Sequence, residues 1–335
     1  MPGSIDVYEF TAPAGETVVA EVHARRDGSP LDSFLRLRDP AGKIIASNDD
    51  TEDREYGLLT AHADSYLRVK LPAAGTYRLE LLDTTGKGGE AFAYTLDVRR
   101  PVPDFAVLTT LSALNLAPTG SAAFSVVAVR RDGWEGDITL RLRGQEGGFS
   151  LEGGFVPAGR ERVQMTLTAR KRGSGAAVQV ELEAAAVIGG VEVVRPVKPA
   201  DLRMQAFGNT HLVQAEALWV CTRKNPAAQL VPSPAPPLAL APGGFVELTF
   251  THPPLPVKSL RAELVNSPAG ITLKDQVSSP GKLVLVFAAG PGVRAGIENL
   301  VLSLRGEPTD AQARAQEVDL GVLPAIVVNV AAKGP

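Results

Sequence analysis

The sequence predicts an all-β protein built from three consecutive antiparallel β-sandwich domains, jelly-roll-like over residues 1–100 and Ig-like over 104–223 and 237–331. Three observations predict it. Apolar and polar residues alternate with period 2 in many short runs, as strands with one buried and one wet face require. The runs are separated by turn residues at short intervals, in keeping with 33 Gly and 26 Pro among 335 residues. Two proline-bearing stretches, Arg100-Pro101-Val102-Pro103 and Pro232-Ser233-Pro234-Ala235-Pro236-Pro237, are stiff and poor in backbone donors, so they divide the chain as linkers or edge segments. An apolar fraction of 44% supplies enough material for sizeable cores.

In the first domain Val18, Ala20 and Val22 alternate with Val19, Glu21 and His23, and Leu35 and Leu37 with Arg36 and Arg38. Further strands are predicted over Val7–Phe10, Lys43–Ser47, Ser65–Leu71, Thr76–Leu82 and Phe92–Val98. The turns between them include Pro13-Ala14-Gly15, Asp39-Pro40-Ala41-Gly42, Pro72-Ala73-Ala74-Gly75 and Gly86-Lys87-Gly88-Gly89. Seven short strands in about 95 residues are the pattern of a sandwich. The second domain has runs over Phe124–Val129, Ile138–Leu142, Val163–Leu167 and Val178–Leu182, and closes on Ala217–Cys221. In the third, Val246, Leu248 and Phe250 alternate with polar residues. Leu283–Phe287 is apolar on both faces, as in a central strand, and Asp310–Arg314 is the one helical turn expected.

Net charge is only -3, so no field of one sign covers the protein and no long basic face awaits nucleic acid. The balance is uneven, with 17 Asp and Glu against 12 Lys and Arg in residues 1–100. The one cysteine, Cys221, forms no intramolecular disulfide and leaves the redox compartment open; its apolar run predicts a buried, inert thiol. No apolar run reaches the roughly 18 residues of a membrane helix. Met1-Pro2-Gly3-Ser4 enters a strand without the basic and apolar regions of a signal peptide, which fits a cytosolic protein or a fragment of a longer chain; a monomeric fragment is the expectation.

The stretch 29–67 carries the most specific signal. Folding the Asp39–Gly42 turn as a hairpin returns Asp32 opposite Asp49 and Asp50. Asp64 opens the strand after that loop, and Asp83, Asp6 and Asp27 fall at the same end. Clustered carboxylates raise one another's pKa or recruit a cation. Asp32, Asn48, Asp49, Asp50 and Asp64 supply the oxygen donors calcium takes, whereas only His62 stands nearby for a transition metal. The other reading is that these Asp residues cap turns and face water.

The order Asp6-Val-Tyr-Glu-Phe10, Ser29-Pro-Leu-Asp32, Leu35-Arg-Leu-Arg-Asp-Pro-Ala-Gly42, Asn48-Asp-Asp50, Asp64-Ser-Tyr-Leu67, Pro72–Tyr77 and Tyr94–Val98 resembles the bacterial pre-peptidase C-terminal domain over residues of about 4–99. That resemblance implies a jelly-roll-like sandwich carried as an accessory module by secreted proteases and other exported bacterial proteins, placing the chain outside the cell, at its surface or in the periplasm. Related collagen-binding domains take calcium. Pro103-Asp-Phe-Ala106, Arg130–Ile138 and Met204–Phe207 followed by His211-Leu212 resemble segments that follow such domains in large exported proteins of unassigned role.

Catalytic signatures are sparse. His23, His62, His211 and His252 are scattered, and no His-Glu-x-x-His, Walker or dinucleotide-binding motif occurs. Gly86–Gly89 and Gly290–Gly296 read as turns, and the Arg25-Arg26, Arg99-Arg100 and Arg130-Arg131 pairs as solvated strand ends. Trp134, in a polar turn, is a corner-packing residue or a sugar-stacking platform. The expected function is thus a non-enzymatic accessory module acting in adhesion, spacing or substrate docking to a protein or polysaccharide partner. The alternatives are a carbohydrate-binding accessory module of a secreted hydrolase, using Trp134 or Tyr56 and Tyr66, and a hydrolase whose site spans domains.

Overall fold

The computed structural model describes residues 3–52, 61–117, 119–144, 148–170, 175–204, 210–222, 230–265, 267–309 and 317–332. Strands carry the architecture, and among the described residues the one helical segment is a 3-10 turn at Arg25–Asp27. No helix is long and apolar enough to cross a membrane. The chain divides into two compact units, the first comprising residues 1–105, 129–134 and 202–213, the second the remainder.

The first unit contains β1 (Asp6–Ala12), β2 (Thr17–His23), β3 (Ser33–Arg38), β4 (Ile44–Asn48), β5 (Thr51–Glu52), β6 (Ala61–His62), β7 (Tyr66–Lys70), β8 (Gly75–Asp83) and β9 (Thr95–Arg99). They form a sheet in the order β1-β8-β3-β4, a second in the order β7-β2-β9, and the short pair β5-β6. All these pairings are antiparallel. The seven strands expected from alternation are present with ends shifted by a few residues, because alternation marks the buried positions and says little about where pairing stops. Val18, Ala20 and Val22 of β2 pack with Leu35 and Leu37 of β3, Leu67 of β7, and Tyr77, Leu79 and Leu81 of β8. Tyr77 is fully buried and stacks on Phe10 with ring centroids 5.7 Å apart. Its hydroxyl donates to Ala73 O at 2.6 Å and accepts from Ala73 N at 3.2 Å, so the burial of the ring leaves no polar group unpaired.

Further along the chain a long sheet runs in the order Phe149–Glu152, Arg162–Ala169, Ser121–Arg131, Asp104–Thr109, Val191–Lys198, Leu182–Ile188, Ile138–Leu142, Phe155–Val156. Pairing is mainly antiparallel, with parallel pairs at Val107 and Val197, Ala113 and Trp219, and Leu238 and Val328. The run Val178–Leu182, which alternates as one strand, is two. Ala177–Val180 pairs with Leu218–Cys221, whereas Leu182–Ile188 pairs with Ile138–Leu142. Val180 and Leu182 both stay buried, so a strand that changes sheets at Glu181 keeps its inward residues and shows no break in pattern. Cys221 is half-buried rather than enclosed, with its thiol 3.6 Å from Gly175 O.

Residues 230–330 hold a core of their own, including Leu238, Leu248, Phe250, Leu285, Phe287, Leu302 and Val328. Lys282–Ala289 lies between Phe245–Thr251 and Ile271–Ser279, the central place its composition predicts. Val231–Ser233 pairs with Phe245–Thr251 as an edge strand, so that part of the proline-rich stretch is an edge segment. The helical turn expected at Asp310–Arg314 lies outside the described residues. Within this unit Asn299 ties this core region to the preceding one, its Nδ2 donating to Gly153 O at 2.7 Å and Gln164 O at 3.0 Å. Gly153 has φ 76° and any Cβ there would collide with the Asn299 amide. Ala325 N donates to the buried Thr166 Oγ1 at 2.8 Å, and Arg160 pairs with Glu298.

Candidate functional site

The register places Asn48 opposite Leu35 and Asp83 opposite Ser33, and Ser33 N donates to Ala63 O at 3.0 Å. Asp32, Asn48, Asp49, Asp64 and Asp83 therefore do gather at one end of the first unit. Their side chains take separate tasks. Asn48 Oδ1 accepts from Tyr66 N at 2.9 Å. Asp49 Oδ1 accepts from Asp50 N at 3.1 Å, and both Asp49 and Asp50 are exposed. Asp32 contributes main-chain groups, its N donating to Asp83 Oδ1 at 3.0 Å and its O accepting from Thr84 N at 2.8 Å. Asp83 Oδ2 accepts from Thr85 N and Lys87 N and so fixes the turn after β8.

Asp64 is fully buried and pairs with Arg26. Its Oδ1 accepts from Ala24 N at 3.1 Å and Arg25 N at 2.6 Å; its Oδ2 accepts from Arg26 N at 3.1 Å and Arg26 Nε at 2.8 Å. Burial opposes the charged carboxylate, yet these bonds outweigh it and hold Asp64 below the usual carboxylate range. Among the described residues no three His, Cys, Asp or Glu side chains group as a metal site. Of the residues expected to take calcium, Asn48 and Asp64 accept from internal donors, while Asp49 and Asp50 are exposed. Millimolar calcium added to the EDTA-treated chain is expected to leave its calorimetric melting curve in place. An ion at a hundredfold excess over its Kd would stabilise by about 2.7 kcal/mol and move the curve visibly.

From Asp64 an alternating chain of charge runs across the outer face of the β7-β2-β9 sheet. Arg26 Nη1 lies 3.1 Å from Glu21 Oε1, and Glu21 Oε2 lies 3.1 Å from Arg99 Nη2. Arg99 also pairs through Nε with Asp97 Oδ2 at 2.9 Å and through Nη1 with Asp132. Asp132 Oδ1 accepts from the Tyr66 hydroxyl at 2.8 Å, and its Oδ2 accepts from Val102 N at 2.7 Å. Burial disfavours the Asp132 charge, but the Arg99, Val102 and Tyr66 donors win and lower its pKa. The side chains of Arg26 and Arg99 are only 18% and 26% exposed, so they are not the solvated strand ends the sequence suggests. A carboxylate two residues away in sequence is visible beforehand; partners 33 and 38 residues away are not.

Beside this network lies a cleft of roughly 590 Å³ whose walls include His23, Thr51, Tyr66, Arg68, Arg99, Val102, Arg130 and the Asp132-Gly133 turn. Asp132 has φ 52° and Gly133 φ 76°, a left-handed pair that Asp and Gly tolerate best. A Cβ on Gly133 would collide with the Arg68 guanidinium, which therefore lies against the turn's backbone. Trp134 stacks on Phe105 with centroids 5.4 Å apart and has the Arg130 guanidinium 5.8 Å from its ring, which is the placement of a corner-packing residue. Tyr56 and the His62 side chain lie outside the described residues. His23 Nε2 is 3.7 Å from Glu21, His211 is buried, and His252 Nδ1 is 2.8 Å from Pro253 O.

Residues 4–82 match the family model of the bacterial pre-peptidase C-terminal domain. The first sandwich carries a pre-peptidase C-terminal domain. An 81-residue stretch is 46% identical to part of a "Probable subtilase-type serine protease" of Deinococcus radiodurans, covering 24% of this chain and 10% of that protein. The chain thus matches about a tenth of the length of that curated relative. Among solved structures, tandem Ig repeats of Dlar align at 15% identity over 70% of this chain and 99% of theirs, with a TM-score of 0.23. A tandem of titin Ig domains aligns at 14% identity over 70% of this chain and 97% of its own, with a TM-score of 0.17. The all-β class rests on the strands themselves.

The residues matched to the pre-peptidase C-terminal domain supply Glu21, Arg26, Asp64, Tyr66 and Arg68. Arg99, Val102 and the 129–134 segment lie beyond the match. Asp132 was not foreseeable as a partner, since Asp132-Gly133 reads only as a turn within the second domain.

Proposed function

We propose that the chain is a non-catalytic accessory part of an exported bacterial protein, working outside the cell or at its surface in spacing, adhesion or docking. In this reading the C-terminal unit is a stiff arm and the pre-peptidase C-terminal domain is the docking end. The domain match and the protease relative support the accessory, exported setting. The single observation that carries the spacer role is Asn299. One half-buried amide bonds two carbonyls of the preceding core region, against a glycine whose missing side chain makes room for it. Bonds of this kind act as a fixed joint, because loss of either partner strands buried polar groups.

The test is a distance measurement between spin labels at Glu181 and Lys282, both exposed, in a chain with Cys221 changed to Ser. The native chain is expected to give one narrow distribution and the Asn299→Ala chain a broad one. A broad distribution in the native chain would sink the spacer role.

A further inference from the structure

We propose that the cleft beside the β7-β2-β9 sheet is a carboxylate-recognition site, in which the Arg68 guanidinium seats an Asp or Glu side chain of a bound peptide. This goes beyond a spacer or docking role in naming both the site and the chemistry of its ligand. Five arginines line the cleft, Arg26, Arg68, Arg99, Arg130 and Arg131, against four carboxylates, Glu21, Asp97, Asp104 and Asp132. Glu21 is shared by Arg26 and Arg99, Arg26 pairs also with Asp64, and Asp97 and Asp132 both turn to Arg99. Asp104 Oδ1 accepts from Phe105 N at 2.8 Å. The Arg68 side chain is exposed and, among the described residues, has neither an ion pair nor a hydrogen bond.

Geometry adds to this. Arg68 and Arg99 both face Val19 across the sheet, one on each side, so two guanidinium stems rise from one row. Arg99 is saturated and braces the wall, whereas Arg68 lies against the Gly133 backbone with its planar fork already positioned. A fork held in place loses less freedom on binding, and Arg takes carboxylates through two parallel bonds. Thr51 lines the same cleft with a buried hydroxyl that has no partner among the described residues, a further donor for an oxyanion. A volume of roughly 590 Å³ suits a side chain and its flanking backbone. The lining favours a peptide over an acidic sugar. A pyranose face needs an apolar or aromatic floor; the aromatic ring here is Tyr66, whose hydroxyl is held by Asp132, and the rest of the surface is largely charged.

A fluorescein-labelled hexaglutamate peptide, titrated into the full chain and followed by anisotropy, tests this. Saturable binding is expected at low salt, weakening at about 150 mM NaCl as screening sets in. Arg68→Ala is expected to weaken it at least about tenfold, and Arg68→Lys, which keeps charge but loses the fork, by an intermediate factor. Arg78→Ala, on the other sheet and paired with Glu9, is expected to change nothing. Arg68 is exposed, so its variants keep the fold, which circular dichroism verifies. Absence of saturation, equal binding by Arg68→Ala, or binding of oligogalacturonate in place of the peptide would each overturn the assignment. None of these outcomes depends on how stiff the C-terminal unit is.

Discussion

Asp64→Ala is expected to destabilise the first unit by roughly 3–5 kcal/mol, the cost of removing one partner from a buried ion pair. The carboxylate accepts from three consecutive main-chain N–H groups, those of Ala24, Arg25 and Arg26, and from the Arg26 side chain. Its loss strands those donors and leaves the guanidinium with Glu21 and the Val22 carbonyl. Asp64→Asn is expected to cost less, since one oxygen still accepts while the new amide faces donors. Urea denaturation read by Trp134, which lies in the first unit, isolates the effect once Trp219 is changed to Phe. The acid limb gives a second reading. The folded pKa of Asp64 is depressed. Its contribution is therefore complete above the unfolded value of about 3.9 and fades as pH falls through the folded one. The gap between native and Asp64→Ala midpoints should thus be widest near neutrality and narrow below about pH 4. A constant gap would mean that the carboxylate's charge contributes nothing and the turn holds itself.

The same residue shows how far the sequence carries. Alternation located β2, β3, β7 and β8 because a half-buried strand must alternate, and a hairpin at Asp39–Gly42 then forced Asp32, Asn48 and Asp64 to one end. That placement is seen. What alternation leaves out is the direction of each side chain and the partner it finds. Arg26 belongs to the Arg25-Arg26 pair, and nothing in that dipeptide says that a 3-10 turn carries one arginine into Asp64. One of these carboxylates, Asp64, thus pairs with an internal cation, a partner that counting oxygen donors along the chain does not reveal. The cleft was harder still. Its floor is the polar face of β2, β7 and β9, which in sequence is merely the wet side of a sheet. One wall is a turn more than 30 residues beyond β9, and no local pattern links Arg99 to Asp132.

That distant turn is the second large effect. Asp132→Ala is expected to cost about 3–5 kcal/mol by the same rule for a broken buried pair, since Arg99, Val102 N and the Tyr66 hydroxyl all lose their acceptor. Part of that cost is backbone. Asp132 holds φ 52°, where alanine is strained by roughly 1–2 kcal/mol and glycine is not. Asp132→Gly removes the same carboxylate without that strain, so it should be more stable than Asp132→Ala by about 1 kcal/mol. The difference between the two separates conformation from charge. Asp132→Asn keeps the φ preference and one acceptor, and a double-mutant cycle with Arg99→Gln should show coupling of roughly 0.5–3 kcal/mol. Trp134 fluorescence is again the probe, because its stack on Phe105 follows directly on the turn. Should Asp132→Asn match the native chain, the ion pair would be dispensable and the turn held by its main chain alone. Should it fall as expected, the consequence reaches the cleft. Gly133 fixes the Arg68 fork only while Asp132 anchors the turn, so hexaglutamate binding should weaken in Asp132→Asn even though Arg68 itself is untouched.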